Sequence, residues 1–245
     1  MLILDRWVDT ERFHPRNRVA GFWSRYGVVH EESLVKFVYV GRVGVEKNLD
    51  LVAEAYRMLR AARTDTHLII IGDGPYRAEL ERLLSGIPTT FTGFLEGDTL
   101  PQALASADVK LFPSTTDTWG NAPLEAQASG LPVIVSDVGG PAELMEDGVT
   151  GFKVPGHDVG ALHAAMVALL DASTRLRMGR EARAFAEANR VDAPFTAVLD
   201  AEAYRRRLQQ ERPAAPPGAP SPRRTVIDLE ALTIDAEAQR VEERV

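Results

Sequence analysis

The sequence predicts a doubly wound α/β domain, in which a parallel sheet is covered by helices on both faces. Short runs rich in Val, Ile and Phe alternate with helical stretches along the chain, as in proteins built from strand–helix–strand units. The chain has 245 residues and is 45% hydrophobic and 26% charged. That composition is typical of globular proteins and allows one large core or two small ones. The predicted strands are KFVYV, HLIII, TTFTGF, VKLF, PVIVS and GFKV, in that order.

The predicted helices between these strands each have one apolar face. Apolar residues recur at helical spacing in the segments that follow the first, second and last strands. Gly86 can end the second of these helices, and the side chain of Asp158 can cap the start of the last one. The three apolar faces are Leu49, Val52, Tyr56 and Leu59; Leu80, Leu83 and Leu84; and Leu162, Met166 and Leu169.

Composition and charge exclude several classes of protein. The absence of cysteine removes disulfides and thiolate sites and favours a cytoplasmic protein. The five histidines lie far apart in sequence, so we predict no metal site. The apolar runs are far shorter than the ~20 residues of a membrane helix, and the formal net charge of −7 argues against nucleic acid as a partner. A cluster of arginines near the end forms either a solvated helix end or a peripheral contact with the inner membrane face: Arg205, Arg206, Arg207 and Arg212.

The chain after residue 190 is not assigned to the α/β domain. We predict a C-terminal helix over residues 191–210, an extended Pro-rich linker, ERPAAPPGAPSPRR, over 211–224, and an acidic tail over 225–245 that can form a short helix. The α/β domain is assigned to residues 21–190, because residues 1–20 contain no complete strand and helix.

Binding chemistry is expected in the loops after the strands, because ligands of open parallel sheets lie outside the carboxyl ends of the strands. The loop GRVGVEKN follows the first strand. Gly41 and Gly44 let the backbone approach a ligand there, and Arg42 and Lys47 bring two positive charges that suit a diphosphate. The alternative is that both cations are ordinary solvated side chains. The segment GDGP after the second strand is interpreted as a tight turn into a helix that begins near Pro75, since it lacks a complete dinucleotide fingerprint.

The segment DTWGNAPLEAQASGLP follows the fourth strand and carries two carboxylates eight positions apart. If Pro123 begins a helix, its cap is Ala122, which has no side-chain oxygen, so the first N–H groups are left for water or a ligand. Glu125 can accept from two vicinal hydroxyls, as on a ribose, or it can only complement the helix dipole or fold back onto a backbone N–H. Asp117 can face a second polyol or form an Asx turn. Together with the cationic loop, the pattern indicates a nucleotide sugar as ligand.

These segments resemble the nucleotide-sugar-binding half of the family-4 (group 1) retaining glycosyltransferases, which have the GT-B fold. The resemblance rests on GRVGVEKNLDLVAEAYRML, IIGDGP, FTGF, LASADVKLFPS and DTWGNAPLEAQASGLPVIVSDVGGPAELMEDGVTGFKV, and it covers residues 36–190. It implies a Rossmann-like sheet, a hexosyltransferase type of activity and transfer with retention at the anomeric carbon. It also implies that no metal ion or other cofactor takes part.

The resemblance assigns roles to individual residues. Arg42 and Lys47 would grip the diphosphate and stabilise its charge as it departs, and with Asp117 they are the implied catalytic residues. Asp117 takes the place of the first Glu of the family's Glu-x7-Glu motif and is one methylene shorter. Glu125 would accept from the ribose hydroxyls. The other implied donor-binding positions are Gly41 at the diphosphate, Gly93 and Phe94 beside the base, and the backbone of Gly120, Asn121 and Ala122 near the sugar and phosphates.

The resemblance also predicts how the protein is organised. The segment VDTERFHP is similar to the family's linker between its acceptor and donor domains, so residues 1–20 are interpreted as a remnant of that linker. We therefore expect a donor domain that is inactive without an acceptor domain or an acceptor-binding partner chain. One alternative is a non-catalytic module that binds a nucleotide sugar or a protein partner. A flavodoxin-like or short-chain oxidoreductase domain is disfavoured, because the first strand–helix turn lacks the Gly-rich fingerprint.

Overall fold

The computed structural model describes residues 8–117 and 120–189. All of them belong to one compact unit, which lies within residues 1–196. The predicted C-terminal helix, Pro-rich linker and acidic tail lie outside the described residues, as do the first seven residues of the predicted linker remnant.

A six-stranded sheet lies at the centre of the described part of the chain. All of its strand pairs are parallel, and the strand order is β3-β2-β1-β4-β5-β6. This result confirms the doubly wound parallel sheet. Every residue of β2, β4 and β5 is buried, which explains why these segments are almost entirely apolar. The strands are β1 Val35–Val40, β2 Thr66–Ile71, β3 Thr89–Gly93, β4 Val109–Phe112, β5 Val133–Ser136 and β6 Gly151–Val154.

The helices follow the predicted apolar faces. Asp158 caps α5 as predicted, because its carboxylate accepts from the N–H of Ala161 at 2.8 Å. The helix expected to begin near Pro75 begins at Arg77 instead, and Pro75 lies in the turn before it. The α-helices of the described residues are α1 Leu49–Ala62, α2 Arg77–Leu83, α3 Thr99–Ala105, α4 Ala122–Ala128, α5 Val159–Ala168 and α6 Ala172–Ala188.

Two hydrophobic clusters cover the two faces of the sheet. The first contains the apolar residues of α1, α2 and α5. The second contains those of α3 and α4 together with side chains from the segment that precedes β1. This segment packs as part of the domain, since the indole N–H of Trp23 donates to the carbonyl of Ser106 at 2.9 Å. The apolar residues it contributes are Val8, Phe13, Phe22, Trp23 and Val28.

The strand order creates a topological switch point between β1 and β4. From β1 the chain winds towards β3 at one edge of the sheet, and from β4 it winds towards β6 at the other. The loops that leave the carboxyl ends of β1 and β4 therefore diverge and border a crevice, which is where open α/β sheets bind their ligands. The loop after β1 comprises residues 41–48, and the loop after β4 runs from residue 113 towards α4.

Candidate functional site

The two loops at the switch point are joined by side-chain hydrogen bonds. The amide of Asn48 donates to the carbonyl of Pro113 at 3.1 Å and to the hydroxyl of Thr115 at 3.2 Å. The hydroxyl of Thr116 donates to the carbonyl of Glu46 at 3.3 Å. Residues from the two loops therefore form one continuous surface above the carboxyl ends of β1 and β4.

Lys47 and Asp117 meet in this surface. The ammonium of Lys47 lies 2.7 Å from Oδ1 of Asp117, and the two side chains are only 18% and 19% exposed. The other carboxylate oxygen of Asp117, Oδ2, is buried and accepts no hydrogen bond. Lys47 is thus not a solvated surface cation, and Asp117 retains an unused acceptor, which is rare among buried polar atoms.

Arg42, the second predicted cation, is held more loosely. Its guanidinium pairs with Oε1 of Glu46 at 2.6 Å, and its side chain is 60% exposed. The carbonyl of Arg42 accepts from the hydroxyl of Tyr39 at 2.8 Å, and burial raises the pKa of that hydroxyl, which keeps it protonated. Because an exposed ion pair is weak, the guanidinium can exchange Glu46 for another anion at little cost. Glu46 was not identified from the sequence.

The GDGP segment packs against the loop that carries Arg42 and Lys47. Gly72 has a φ of 130°, and a Cβ there would overlap the carbonyl oxygen of Gly41. A Cβ on Gly74 would overlap the carbonyl oxygen of Val43, whose own N–H donates to the carbonyl of Asp73 at 2.9 Å. The two glycines therefore permit close packing of one loop against the other, so this turn has a structural role.

The start of α4 differs from the prediction by one residue. The helix begins at Ala122, so Asn121 occupies the cap position and Pro123 is the second helical residue. Proline is tolerated there because the N–H of that position is also without an intrahelical partner. The side chain of Asn121 does not cap the helix, and its Oδ1 is buried without a hydrogen-bond partner. The predicted absence of a side-chain cap is observed, although the predicted cap residue was wrong.

Glu125 lies in the first turn of α4, and β4 carries a buried lysine, Lys110. Burial raises the pKa of the Glu125 carboxyl, and the ammonium of Lys110 opposes that shift. Lys110 is completely buried, and burial lowers its pKa to about 7. Its Nζ donates to the carbonyl of Val40 at 3.4 Å and lies 5.2 Å and 5.8 Å from the ring centroids of Tyr39 and Phe112. Lys110 was missed from the sequence, although a lysine inside an apolar strand was a signal.

The remaining predicted residues lie at the same edge of the sheet. Gly93 ends β3 with a φ of 72°, and its carbonyl accepts from the N–H of Gly72 at 2.8 Å. Phe94 follows it and is 67% exposed. The N–H of Gly140, in the loop after β5, donates to the carbonyl of Asp117 at 2.9 Å. That loop was not assigned to the site from the sequence.

Two further properties bear on the ligand. Among the described side chains, no three His, Asp or Glu residues are grouped so that they could hold a metal ion. In residues 8–117 and 120–189, none of the helices has both the length and the apolar character needed to cross a bilayer. Independence from a metal ion stays a prediction.

Comparison with known proteins gives one family match and several relatives. A family model described as "Glycosyl transferases group 1" matches residues 35–172, more than half of the chain. A sulfoquinovosyl transferase from Arabidopsis thaliana is 40% identical over 183 residues, which is 73% of this chain and 35% of the relative. The chain spans about a third of the length of the curated relatives it matches.

Two solved structures resemble the described fold. HepE from Anabaena, in complex with UDP and glucose, superposes with a TM-score of 0.66 at 20% identity over 83% of this chain and 55% of that protein. The C-terminal domain of a group 1 family protein, LpcC, from Francisella tularensis superposes with a TM-score of 0.64 at 19% identity. That match covers 74% of this chain and 97% of the solved domain. At these sequence identities, the superpositions show a shared fold and no more than that.

Proposed function

Since the chain belongs to the group 1 glycosyl transferases, we propose that its α/β domain is the C-terminal, donor-binding domain of a family-4 retaining enzyme with the GT-B fold. The observation that carries this proposal is the ion pair between Lys47 and Asp117 at the switch point of the sheet. It brings a phosphate-binding cation and a carboxylate with an unused acceptor oxygen to the place where open α/β sheets bind ligands.

The two cations bind the diphosphate of the donor. An incoming diphosphate replaces the exposed Glu46 as the ion-pair partner of Arg42. It also draws the ammonium of Lys47 partly away from Asp117. The planar guanidinium can contact two phosphate oxygens, and the ammonium supplies a compact charge. As the bond to the sugar breaks, both cations stabilise the negative charge that develops on the departing diphosphate. This arrangement supplies positive charge without a metal ion.

The carboxylates bind the two sugars of the donor. Glu125 accepts from the ribose hydroxyls, because among the described residues its carboxylate accepts no hydrogen bond from the protein and so keeps its acceptors available. Asp117 uses the unsatisfied Oδ2 for a hydroxyl of the transferred sugar. Phe94 is exposed at the end of β3 and offers a ring beside the base. The presence of UDP in the HepE structure supports a nucleotide as ligand of this fold.

Transfer requires a second domain that binds the acceptor. The curated relatives are about three times as long as the matched part of this chain, which is long enough for a further domain. We therefore propose that the donor domain alone binds a nucleotide sugar and that hexosyl transfer needs an acceptor domain or partner chain. The sequence has no cysteine and therefore no disulfide, and we propose a cytoplasmic enzyme.

A ligand screen tests the proposal. Thermal shifts are measured with the diphosphates of uridine, guanosine and adenosine and with their sugars, because a ligand that binds only the folded state raises the melting temperature. The best ligand is then titrated calorimetrically with and without a chelator. We expect one base to be preferred and the affinity to be unchanged by the chelator. Absence of binding by all three diphosphates would contradict donor binding, and loss of binding in the chelator would contradict metal independence.

A further inference from the structure

Each cation of the loop after β1 is held by a carboxylate of the protein itself. Arg42 pairs with Glu46 at 2.6 Å, and Lys47 pairs with Asp117 at 2.7 Å. The two carboxylates thus supply negative charge to the same cations that a diphosphate would contact. They differ in their surroundings, because the side chain of Glu46 is 37% exposed and that of Asp117 is 19% exposed. Glu46 can therefore leave its partner for water more readily than Asp117 can.

The carboxylate of Glu46 lies against the backbone of the loop. Gly44 has no side chain, and a Cβ built there would overlap both carboxylate oxygens of Glu46. The sequence predicts that Gly44 lets the backbone approach a ligand, and in the structure the chain's own carboxylate fills that space. A hydrogen bond from its own backbone N–H lowers the pKa of Glu46, and the guanidinium of Arg42 adds to this effect. The group beside Gly44 is therefore an anion at neutral pH.

The backbone of both partners in this ion pair is fixed by other contacts. The hydroxyl of Thr116 donates to the carbonyl of Glu46 at 3.3 Å, and the hydroxyl of Tyr39 donates to the carbonyl of Arg42 at 2.8 Å. These hydrogen bonds do not involve the charged groups, so they can persist when the ion pair breaks. Release of Glu46 therefore requires rotation of a partly exposed side chain and no rearrangement of the loop.

We propose that Glu46 is an internal competitor of the donor, a carboxylate that occupies the place of a phosphate group beside Arg42 and Gly44 until the diphosphate displaces it. The inference deepens the proposed function and rests on it, since it requires that the diphosphate binds to Arg42. Breaking the pair between Arg42 and Glu46 offsets part of the binding free energy. Glu46 thus lowers the affinity for the donor and also for the nucleoside diphosphate that remains after transfer, which favours release of that product.

A role for Glu46 in orienting Arg42 would have the opposite effect on affinity. Its removal would then weaken binding, because the guanidinium would lose its orientation. Two observations favour competition instead. The backbone of Arg42 is already fixed by the hydroxyl of Tyr39, and the carboxylate of Glu46 fills the space above Gly44 that a ligand needs. Because an exposed ion pair contributes little, we expect the competition to be modest.

Glu46→Gln tests the proposal, because glutamine keeps the size of the side chain and removes its charge. Calorimetric titration at fixed ionic strength compares the variant with the wild type. We expect the preferred nucleoside diphosphate and inorganic pyrophosphate each to bind about two- to fivefold more tightly, the range that corresponds to an exposed ion pair. The corresponding nucleoside, which has no phosphate, should show no change in affinity. The side chain is not part of the core, so the variant should fold like the wild type.

Asp50→Asn is the matched control, since it removes the charge of an exposed carboxylate in the first turn of α1, four positions after Glu46. In the described part of the chain, Asp50 forms no ion pair with Arg42 or Lys47. The control should leave the affinities for nucleoside diphosphate and pyrophosphate close to those of the wild type. A gain equal to that of Glu46→Gln would show that any negative charge near the loop weakens anion binding, and it would overturn the proposal.

A double-mutant cycle relates the effect to the ion pair. In an Arg42→Ala background, Glu46→Gln should give a much smaller gain, since the cation for which Glu46 competes is absent. An undiminished gain in that background would contradict the proposal. Weaker binding by Glu46→Gln, or affinities equal to those of the wild type, would also contradict it and leave the proposed function standing. If the wild type binds neither nucleoside diphosphate nor pyrophosphate, the proposed function has failed, and the inference fails with it.

Discussion

At the scale of single residues, the ammonium of Lys47 is largely removed from solvent and lies 2.7 Å from a carboxylate. If it also contacts the diphosphate, Lys47→Ala should weaken nucleoside diphosphate binding by about 1.5–3 kcal/mol, the usual range for a hydrogen bond to a charged group. Calorimetric titration measures the loss. Lys153→Ala, which removes the same charge from β6, is the control and should have no such effect. A loss below ~0.3 kcal/mol in Lys47→Ala would show that the lysine does not contact the ligand.

The roles of Glu125 and Asp117 can be distinguished by which ligand each substitution weakens. Glu125→Gln should weaken the nucleoside diphosphate and the nucleotide sugar alike, because both contain the ribose. Asp117→Asn should weaken only the nucleotide sugar, because Asp117 faces the transferred sugar, and its loss also releases Lys47 for the diphosphate. Affinities of both variants for both ligands are compared at one pH. An equal effect of Asp117→Asn on the two ligands would contradict its assignment to the sugar.

At the scale of elements, the capping hydrogen bond at the start of α5 predicts a change in the free energy of unfolding that does not depend on the proposed function. The carboxylate of Asp158 accepts from the N–H of Ala161 at 2.8 Å. Asp158→Ala removes this acceptor and should lower the free energy of unfolding by about 1 kcal/mol, whereas Asp158→Asn keeps an acceptor oxygen and should lose much less. Denaturant unfolding of the three proteins measures the difference. Equal stability of the alanine and asparagine variants would show that the cap contributes nothing.

At the scale of the whole molecule, the proposed division into donor and acceptor domains predicts that the donor domain alone does not transfer sugar. Correct placement of acceptor against donor supplies roughly 7–11 kcal/mol of barrier lowering in well-oriented systems. We expect the chain alone to bind a nucleotide sugar without transferring it to any of a panel of acceptors. Adding a matching acceptor domain in trans should restore transfer. Multiple turnover by the chain alone would refute the requirement for a second domain.

Local patterns in the sequence were sufficient for most of the fold. The central strands β1, β2, β4 and β5 are short, mainly apolar runs, because a strand buried on both faces needs apolar residues. The edge strands β3 and β6 are only partly buried and carry more polar residues. The helix faces follow from the 3.6-residue period, and Asp158 was recognisable as a cap because capping depends on neighbouring residues alone. The boundaries were less certain, since the start of α4 at Ala122 and that of α2 at Arg77 depend on how each loop approaches its helix.

The sequence by itself determined the fold class, the loops that carry the candidate site and the residue types within them, because these depend on local periodicity and composition. Only the tertiary structure decided that Lys47 pairs with Asp117, 70 residues further along the chain. It also decided that Gly72 makes room for the carbonyl of Gly41, and that the charged side chain of Lys110 is completely buried. The reason is physical: burial, ion pairing and the resulting pKa shifts depend on distances between residues that are remote in sequence.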